Sequence, residues 1–304
     1  MPVVCRVTVR TTLALIAAAS AMTCTDALGP SPFGELAFWR VEANGQFAVY
    51  TVKLGATQAG TPVRISSNQY SDYGPEWSPD GSRIAFNSNR QSGHQIYVMN
   101  ADGSGVHAVT YALGLYYSPS WSPDGSQLAY AGQNGPDVGI YVVGADGSNA
   151  HLLVNTLPSI PISPGVAWSP DGARVLFVTS DGLATHIYVV DANGSELARL
   201  PDDSAGDRDP TWSPDGKRIA FYSSRNGVGG IYVMNSDGSN VHPMITSPAQ
   251  NDCPSWSPDA GRLAFISSRD GLPDSYVADL DGRNVLRVTR DSLFEHCPRW
   301  RRSR

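Results

Sequence analysis

From Trp77 the chain reads Trp-Ser-Pro-Asp-Gly-Ser-Arg-Ile-Ala-Phe-Asn-Ser-Asn-Arg to Arg90, and from Gln95 it reads Gln-Ile-Tyr-Val-Met-Asn-Ala-Asp-Gly-Ser to Ser104. The apolar runs Arg83 to Asn87 and Gln95 to Asn100 are short, rich in β-formers and bounded by turn residues, which predicts strands rather than helices. Ser78-Pro79-Asp80-Gly81 is a turn in which Pro presets the first central position and Gly takes the left-handed one. Asp102-Gly103 is a two-residue hairpin signal leading into a further strand, Val106 to Thr110. With the strand that ends at Trp77, this makes a four-stranded antiparallel unit.

The unit repeats. Trp-Ser-Pro-Asp begins at Trp77, Trp121, Trp168, Trp212 and Trp256, and Trp300 keeps the phase, with steps of 44, 47, 44, 44 and 44. Tyr97, Tyr141, Tyr188, Tyr232 and Tyr276 each follow their tryptophan by 20 residues. The three extra residues of the longer step therefore fall between Tyr141 and Trp168, where Leu157 to Pro164 is Pro-rich. The hairpin recurs at Asp146-Gly147, Asp237-Gly238 and Asp281-Gly282, with Asn193-Gly194 as a variant. Four-stranded units of about 40 to 45 residues in series predict an all-β propeller. Leu36 to Arg40, Phe47 to Leu54 and Pro62 to Ser66 supply the second to fourth strands of a unit without its tryptophan strand. Cys297-Pro298-Arg299-Trp300 is a tryptophan strand with nothing after it. The expectation is a six-bladed ring of four-stranded blades over residues 36–304, closed by the C-terminal strand joining the N-terminal blade, so that no sheet edge is left open.

Composition agrees. With 30 Gly, 22 Pro and only 16% charged residues the chain is turn-rich and sparsely charged, while 41% hydrophobic residues exclude disorder. The formal charge is -6 and the one basic cluster is Arg299, Arg301, Arg302 and Arg304, which excludes a nucleic-acid partner. Residues 1–23 have the layout of a signal peptide: Arg6 and Arg10, the apolar run Leu13 to Ala19, then small residues. That run is too short to span a bilayer. Cys24 follows Ala21-Met22-Thr23, which is similar to a lipobox but has Ala and Thr where Leu and Gly or Ala are usual. Cys24 therefore reads either as the lipidated residue of a lipoprotein or as an ordinary cysteine. Residues 24–35 form a linker of the flexible kind. Export follows, to the periplasm, to an outer-membrane lipoprotein anchor or to the medium.

The repeated Trp-Ser-Pro-Asp-Gly, Ser-Asn-Arg and Ile-Tyr-Val-Met-Asn-Ala-Asp-Gly-Ser phrases resemble the WD-like propeller repeat of the TolB type, over roughly residues 36 to 301. TolB-like propellers imply an exported, non-catalytic scaffold that binds an envelope protein, peptide or glycan. Such a scaffold implies a monomer with no cofactor, touching a membrane only through a lipid anchor. TolB carries an α/β domain before its propeller, whereas about 35 residues precede the first blade here. Related propellers also precede hydrolase domains in peptidases similar to prolyl oligopeptidase and tricorn; the sequence contains no Gly-x-Ser-x-Gly elbow.

With the tryptophan strand innermost, the connections before each tryptophan share one face with the loops between second and third strands. Loops on a rigid scaffold are where binding residues sit. This places Tyr73, Tyr117, Arg208, Asp209, Asp252 and His296 at the channel mouth as ligand-binding candidates, together with Asp207 and Glu295. Tyr70, Asp72 and Tyr116 lie beside them. Tyrosines and carboxylates in a ring suit a polar peptide or a saccharide. His107, His151 and His242 fall at equivalent outer-strand positions of different blades and cannot converge on a metal; His94 and His186 read as solvated loop residues. His296, between Glu295 and Cys297 and near Asp252 and Cys253, is the core of an alternative reading. Oligogalacturonate lyase, a related propeller, places a metal and a His over its channel, so this reading is a polysaccharide lyase or hydrolase. The binding reading assigns no catalytic residue and no metal. Cys253 and Cys297 share one repeat position and read as a disulfide, as free buried thiols or as metal ligands; a bridge needs Cα atoms about 4.4 to 6.8 Å apart, and inner strands that diverge from the axis can stand wider. Arg90, Arg225 and Arg269 recur after Ser-Asn or Ser-Ser and are expected to pair between blades.

Overall fold

The computed structural model describes residues 34–302 apart from 56, 92, 112–113, 156–164, 181–183, 202–205, 226, 228 and 291–292. The expected signal peptide, Cys24, the linker up to residue 33 and the Leu157 to Pro164 connection lie outside the described residues.

The described residues form six four-stranded antiparallel sheets. The first blade holds β1 (Glu35–Val41), β2 (Phe47–Lys53) and β3 (Val63–Arg64), and its inner strand is the last of the chain, β24 (Glu295–Trp300). Blade two holds β4 (Asp72–Trp77), β5 (Arg83–Ser88), β6 (Gln95–Asn100) and β7 (His107–Ala108). Blade three holds β8 (Leu115–Trp121), β9 (Gln127–Asn134), β10 (Asp137–Gly144) and β11 (His151–Asn155). Blade four holds β12 (Ala167–Trp168), β13 (Arg174–Ser180), β14 (Thr185–Asp191) and β15 (Ala198–Arg199). Blade five holds β16 (Arg208–Trp212), β17 (Arg218–Ser223), β18 (Gly230–Asn235) and β19 (His242–Ile245). Blade six holds β20 (Asn251–Trp256), β21 (Arg262–Ser267), β22 (Asp274–Asp279) and β23 (Leu286–Arg287). The six inner strands pack in succession, β24 on β4, then β8, β12, β16, β20 and back to β24, so the propeller is a closed ring of six. Pairing of β24 with β1 runs from Leu36 opposite Trp300 to Arg40 opposite Glu295.

The core lies between blades, in one cluster per seam. Leu36, Phe38, Val52 and Trp300 meet Ala264, Val277 and Val288 where blade one meets blade six. Each repeat tryptophan is buried against the preceding blade, as Trp121 is beside Ala85, Ile96 and Val98. Several seams add a guanidinium over the indole: Arg83 on Trp121, Arg174 on Trp212, Arg218 on Trp256 and Arg301 on Trp77, at 4.6 to 5.0 Å. The repeat tryptophans are therefore packing elements. Because a blade is covered on both faces, its central strands are buried almost end to end, as in Gln-Ile-Tyr-Val-Met-Asn of β6. Burial on both faces favours continuous apolar runs over strict alternation.

One local feature decides the shape of the site. Three residues before every repeat tryptophan the backbone is left-handed: Gly74, Ser118, Gly165, Asp209, Cys253 and Cys297 have φ between 44° and 61°. The inner-strand pairing slips at this point in five blades, for example between Tyr73 and Glu76 and between Asp252 and Ser255. A bulge of this kind re-aims the side chains around it. Pro follows the bulge residue at Pro75, Pro119, Pro210, Pro254 and Pro298, barring the right-handed helical region to its predecessor and lacking the N–H that an interrupted ladder leaves over.

Candidate functional site

The bulges bring the residues just before them together at one end of the ring. Four positions before the tryptophans stand Tyr73, Tyr117, Arg208, Asp252 and His296, with Pro164 of blade four outside the described residues. Adjacent members sense one another across the seams: Arg208 pairs with Asp252, and Asp252 acts electrostatically on His296. This mouth has two unlike halves.

Blades one to three supply aromatic rings. The His296 imidazole stacks on Trp39 at 4.2 Å and 16°. Trp39 meets Tyr73 at 5.7 Å and Phe47 at 5.0 Å, and Phe47 meets Tyr73 edge-on at 5.6 Å. Beyond Tyr73 the bank continues through His94 to Tyr117, at 5.9 and 5.6 Å. The Tyr73 hydroxyl and His94 Nδ1 share a hydrogen bond of 2.9 Å. Burial pushes the Tyr73 hydroxyl well above the ordinary phenol range, so it stays protonated. Burial lowers the His296 pKa, against a weaker upward pull from Asp252, so the neutral imidazole is favoured.

Blades five and six supply charge. Arg208 lies flat on Tyr222, 3.7 Å from the ring centroid, donates to Asp252 Oδ2 at 2.6 Å and stands 3.6 Å from Asp209. Asp252 also accepts from the Cys253 amide at 2.9 Å. Cys253 and Cys297 are joined by a disulfide, S–S 2.03 Å and Cα–Cα 4.9 Å. The spacing is short because both cysteines are the bulge residues of neighbouring inner strands. Asp209, Asp252 and the Cys253 sulfur lie within 4.8 Å of one another. As a metal site the trio is poor in donors, because a disulfide sulfur is not a thiolate and Asp252 is held by Arg208.

Several expected mouth residues lie elsewhere. Asp207 and Glu295 are buried, at 1% and 0% exposure, and so are Asp72 and Tyr116. They sit one residue further from the bulge, where alternation turns the side chain into the blade. Asp207 pairs with Arg225 at 3.0 Å and Asp72 with Arg90 at 2.7 Å. Glu295 pairs with Arg40 at 2.9 Å and accepts from the Ser275 and Thr289 hydroxyls of blade six. Glu295 thereby joins the closing strand to its neighbour and is no partner for His296. Arg90 and Arg225, with Arg269 on Asn251, pair within their own blades rather than between blades, each lying over a Phe and a Tyr of that blade. His186 is buried in β14, and His94 belongs to the aromatic bank; neither is a solvated loop residue. His107, His151 and His242 are exposed on outer strands, each bonded through Nδ1 to a carbonyl two residues back.

Trp39, Phe47 and His94 were not singled out by motif. A signal existed for Trp39: of seven tryptophans it alone is out of phase with the repeat. On the opposite end, a solvent-open furrow of about 520 Å³ runs between blades two and three past Arg83, Asp146 and Asn149. It arises from hairpins that recur around the ring and offers no convergence like that of the mouth.

A family model of the TolB beta propeller domain matches residues 3–164 and 154–252. The chain belongs to the TolB beta-propeller family. The TolB structure from Acinetobacter baumannii superposes with a TM-score of 0.77 at 20% identity, covering 90% of this chain and 68% of that one. A TolB homologue from Agrobacterium tumefaciens gives 0.67 at 22%, covering 84% and 88%. An oligogalacturonate lyase in complex with manganese gives 0.54 at 16%, covering 85% and 74%. These likenesses are likenesses of fold. Among curated sequences, the uncharacterized protein Atu1656 of Agrobacterium fabrum is 34% identical over 64 residues, and the chain spans about a fifth of that relative's length (21%).

Proposed function

We propose that this TolB-family chain is an exported, non-catalytic propeller of the bacterial cell envelope. Its mouth binds a peptide segment of a partner protein, or a glycan. The observation that carries the reading is the continuous aromatic bank from His296 through Trp39 and Tyr73 to Tyr117, set opposite the Arg208–Asp252 pair. Aromatic faces beside a few placed polar groups are the usual makeup of a recognition site. The pairing of the acid–base groups supports a structural rather than a proton-transfer role. Glu295 pairs with Arg40, Asp252 pairs with Arg208, and His296 stacks on Trp39. A general base needs a hydrogen-bonded reach to its proton and a partner that orients it. The chain acts as a monomer, and its membrane contact, if Cys24 is lipidated, is that lipid alone.

The test is capture on immobilised wild-type protein and on a Trp39→Ala, Tyr117→Ala double variant, using envelope extracts and a glycan array. Retention by wild type and loss by the variant is expected. Stoichiometric metal in purified wild type, absent from His296→Ala, together with cleavage of a polysaccharide, would replace binding by catalysis.

A further inference from the structure

Resting on the reading of the mouth as a binding site, we infer that its occupant is a cationic side chain, a lysine or arginine carried on an extended segment of a partner protein. The seam between blades six and one carries the argument. On one side stands Asp252, partly open to solvent at 18% side-chain exposure; on the other, near enough for Asp252 to act on it electrostatically, is the half-buried His296–Trp39 stack. Ring faces are the negative pole of the aromatic quadrupole and attract cations, most of all over Trp. Next to this pair, the blade-six loop at Leu272-Pro273 meets the start of β24, where the Glu295 amide donates to the Pro273 carbonyl at 3.3 Å. Leu272 and Phe294 are exposed there, at 37% and 48%. An aliphatic stem that lies on apolar surface while its charged head reaches a carboxylate is how lysine and arginine pack.

The mouth itself already displays this chemistry. Arg208 rests on Tyr222 with its guanidinium on Asp252, a cation held between a ring and a carboxylate. The same pairing occupies Arg208, the cation of the mouth among the described residues, so an acidic sugar or peptide meets the partly open Asp252 carboxylate and a guanidinium already engaged by it, with the buried Asp209 behind. The chain as a whole carries -6, which steers cations toward it.

The experiment is a calorimetric titration of the mature protein at low salt with acetyl-(Gly-Lys)4-amide, acetyl-(Gly-Gln)4-amide, acetyl-(Gly-Glu)4-amide and an oligogalacturonate. The lysine peptide is expected to bind at least about tenfold more tightly than the glutamine peptide and to weaken as salt rises. Asp252→Asn and, separately, Trp39→Leu should each reduce lysine-peptide affinity by about five- to tenfold. Asp237→Asn, the same charge change on an exposed hairpin of the far face, should leave it unchanged. Equal binding of lysine and glutamine peptides, tighter binding of either anion, or equal losses in Asp252→Asn and Asp237→Asn would overturn the cationic occupant. In the first two cases the mouth survives as a binding site if Trp39→Leu abolishes that binding. Binding of nothing at millimolar peptide and oligosaccharide would remove both readings.

Discussion

His296 shows how one side chain links burial, chemistry and stability. Stacked on Trp39 and partly withdrawn from water, its imidazole binds a proton less readily than in the unfolded chain, and the nearby Asp252 only partly offsets this. The unfolded state then holds more protons across that interval, so stability rises with pH there. Its contribution is complete above the ordinary histidine value of 6.5 and declines as pH falls through that value toward the lower folded one. His296→Phe keeps the ring stack and removes the titration. The urea midpoint of this variant is expected to fall less between pH 7 and pH 5 than that of wild type, and parallel curves would contradict the assignment. The sequence named His296 by its neighbours and misjudged Glu295 and Asp207. One-residue offsets decide which way a strand side chain points, and the bulge that sets the offset is marked in the sequence only by the Pro that follows it in five repeats. Trp39 was legible only as the tryptophan out of step.

Among elements, the bulged inner strand is the unit that matters. At Gly165 two demands coincide: φ is +52°, and an added Cβ would stand 2.8 Å from Pro210 Cδ and 3.0 Å from the Asp209 Cα on the next blade. Gly165→Ala is expected to destabilise by about 1–3 kcal/mol, read from denaturant midpoints at unchanged slope; a loss below ~0.5 kcal/mol, the range of ordinary surface changes, would show that the inner strands have room to part. Strand existence and hairpins were readable because Asp-Gly and Ser-Pro-Asp-Gly specify backbone conformation directly. The bulges were not, since Ser, Asp and Cys occupy left-handed positions that sequence alone associates with Gly or Asn. The recurring Pro at the next position is the clue that remains, and it is missing where Val166 follows Gly165. Arg90 and Arg225 were assigned to seams because repetition implied contact between repeats. Their carboxylate partners sit in the same blade, on the inner strand one ladder away.

At the scale of the molecule, the described residues form a ring in which β1 and β24 meet in one blade, and its cooperativity depends on that closure. The β24–β1 ladder, the Arg40–Glu295 and Arg301–Glu35 ion pairs and the Cys253–Cys297 bridge are among the devices that hold it. The bridge closes a loop of 44 residues, worth about 4 kcal/mol on the chain-entropy account. Cys297→Ser should lower stability by roughly that amount, and reduction of wild type should reproduce the loss. Deleting residues 296–304 should remove the sharp thermal transition; an unchanged melting curve would mean that β24 does not close the ring. Blade number and closure were the most legible features of all, because phase and period suffice to count blades and to see a strand missing at one end and spare at the other. The central claim is that ligand enters at the bulged end of this ring. A photo-reactive phenylalanine analogue placed at Tyr117 on the mouth, or at Asp146 on the opposite face, tests it in envelope extracts. Discrete cross-links are expected from position 117 and none from 146; adducts formed from 146 alone would place ligand on the opposite face and overturn the proposed mouth.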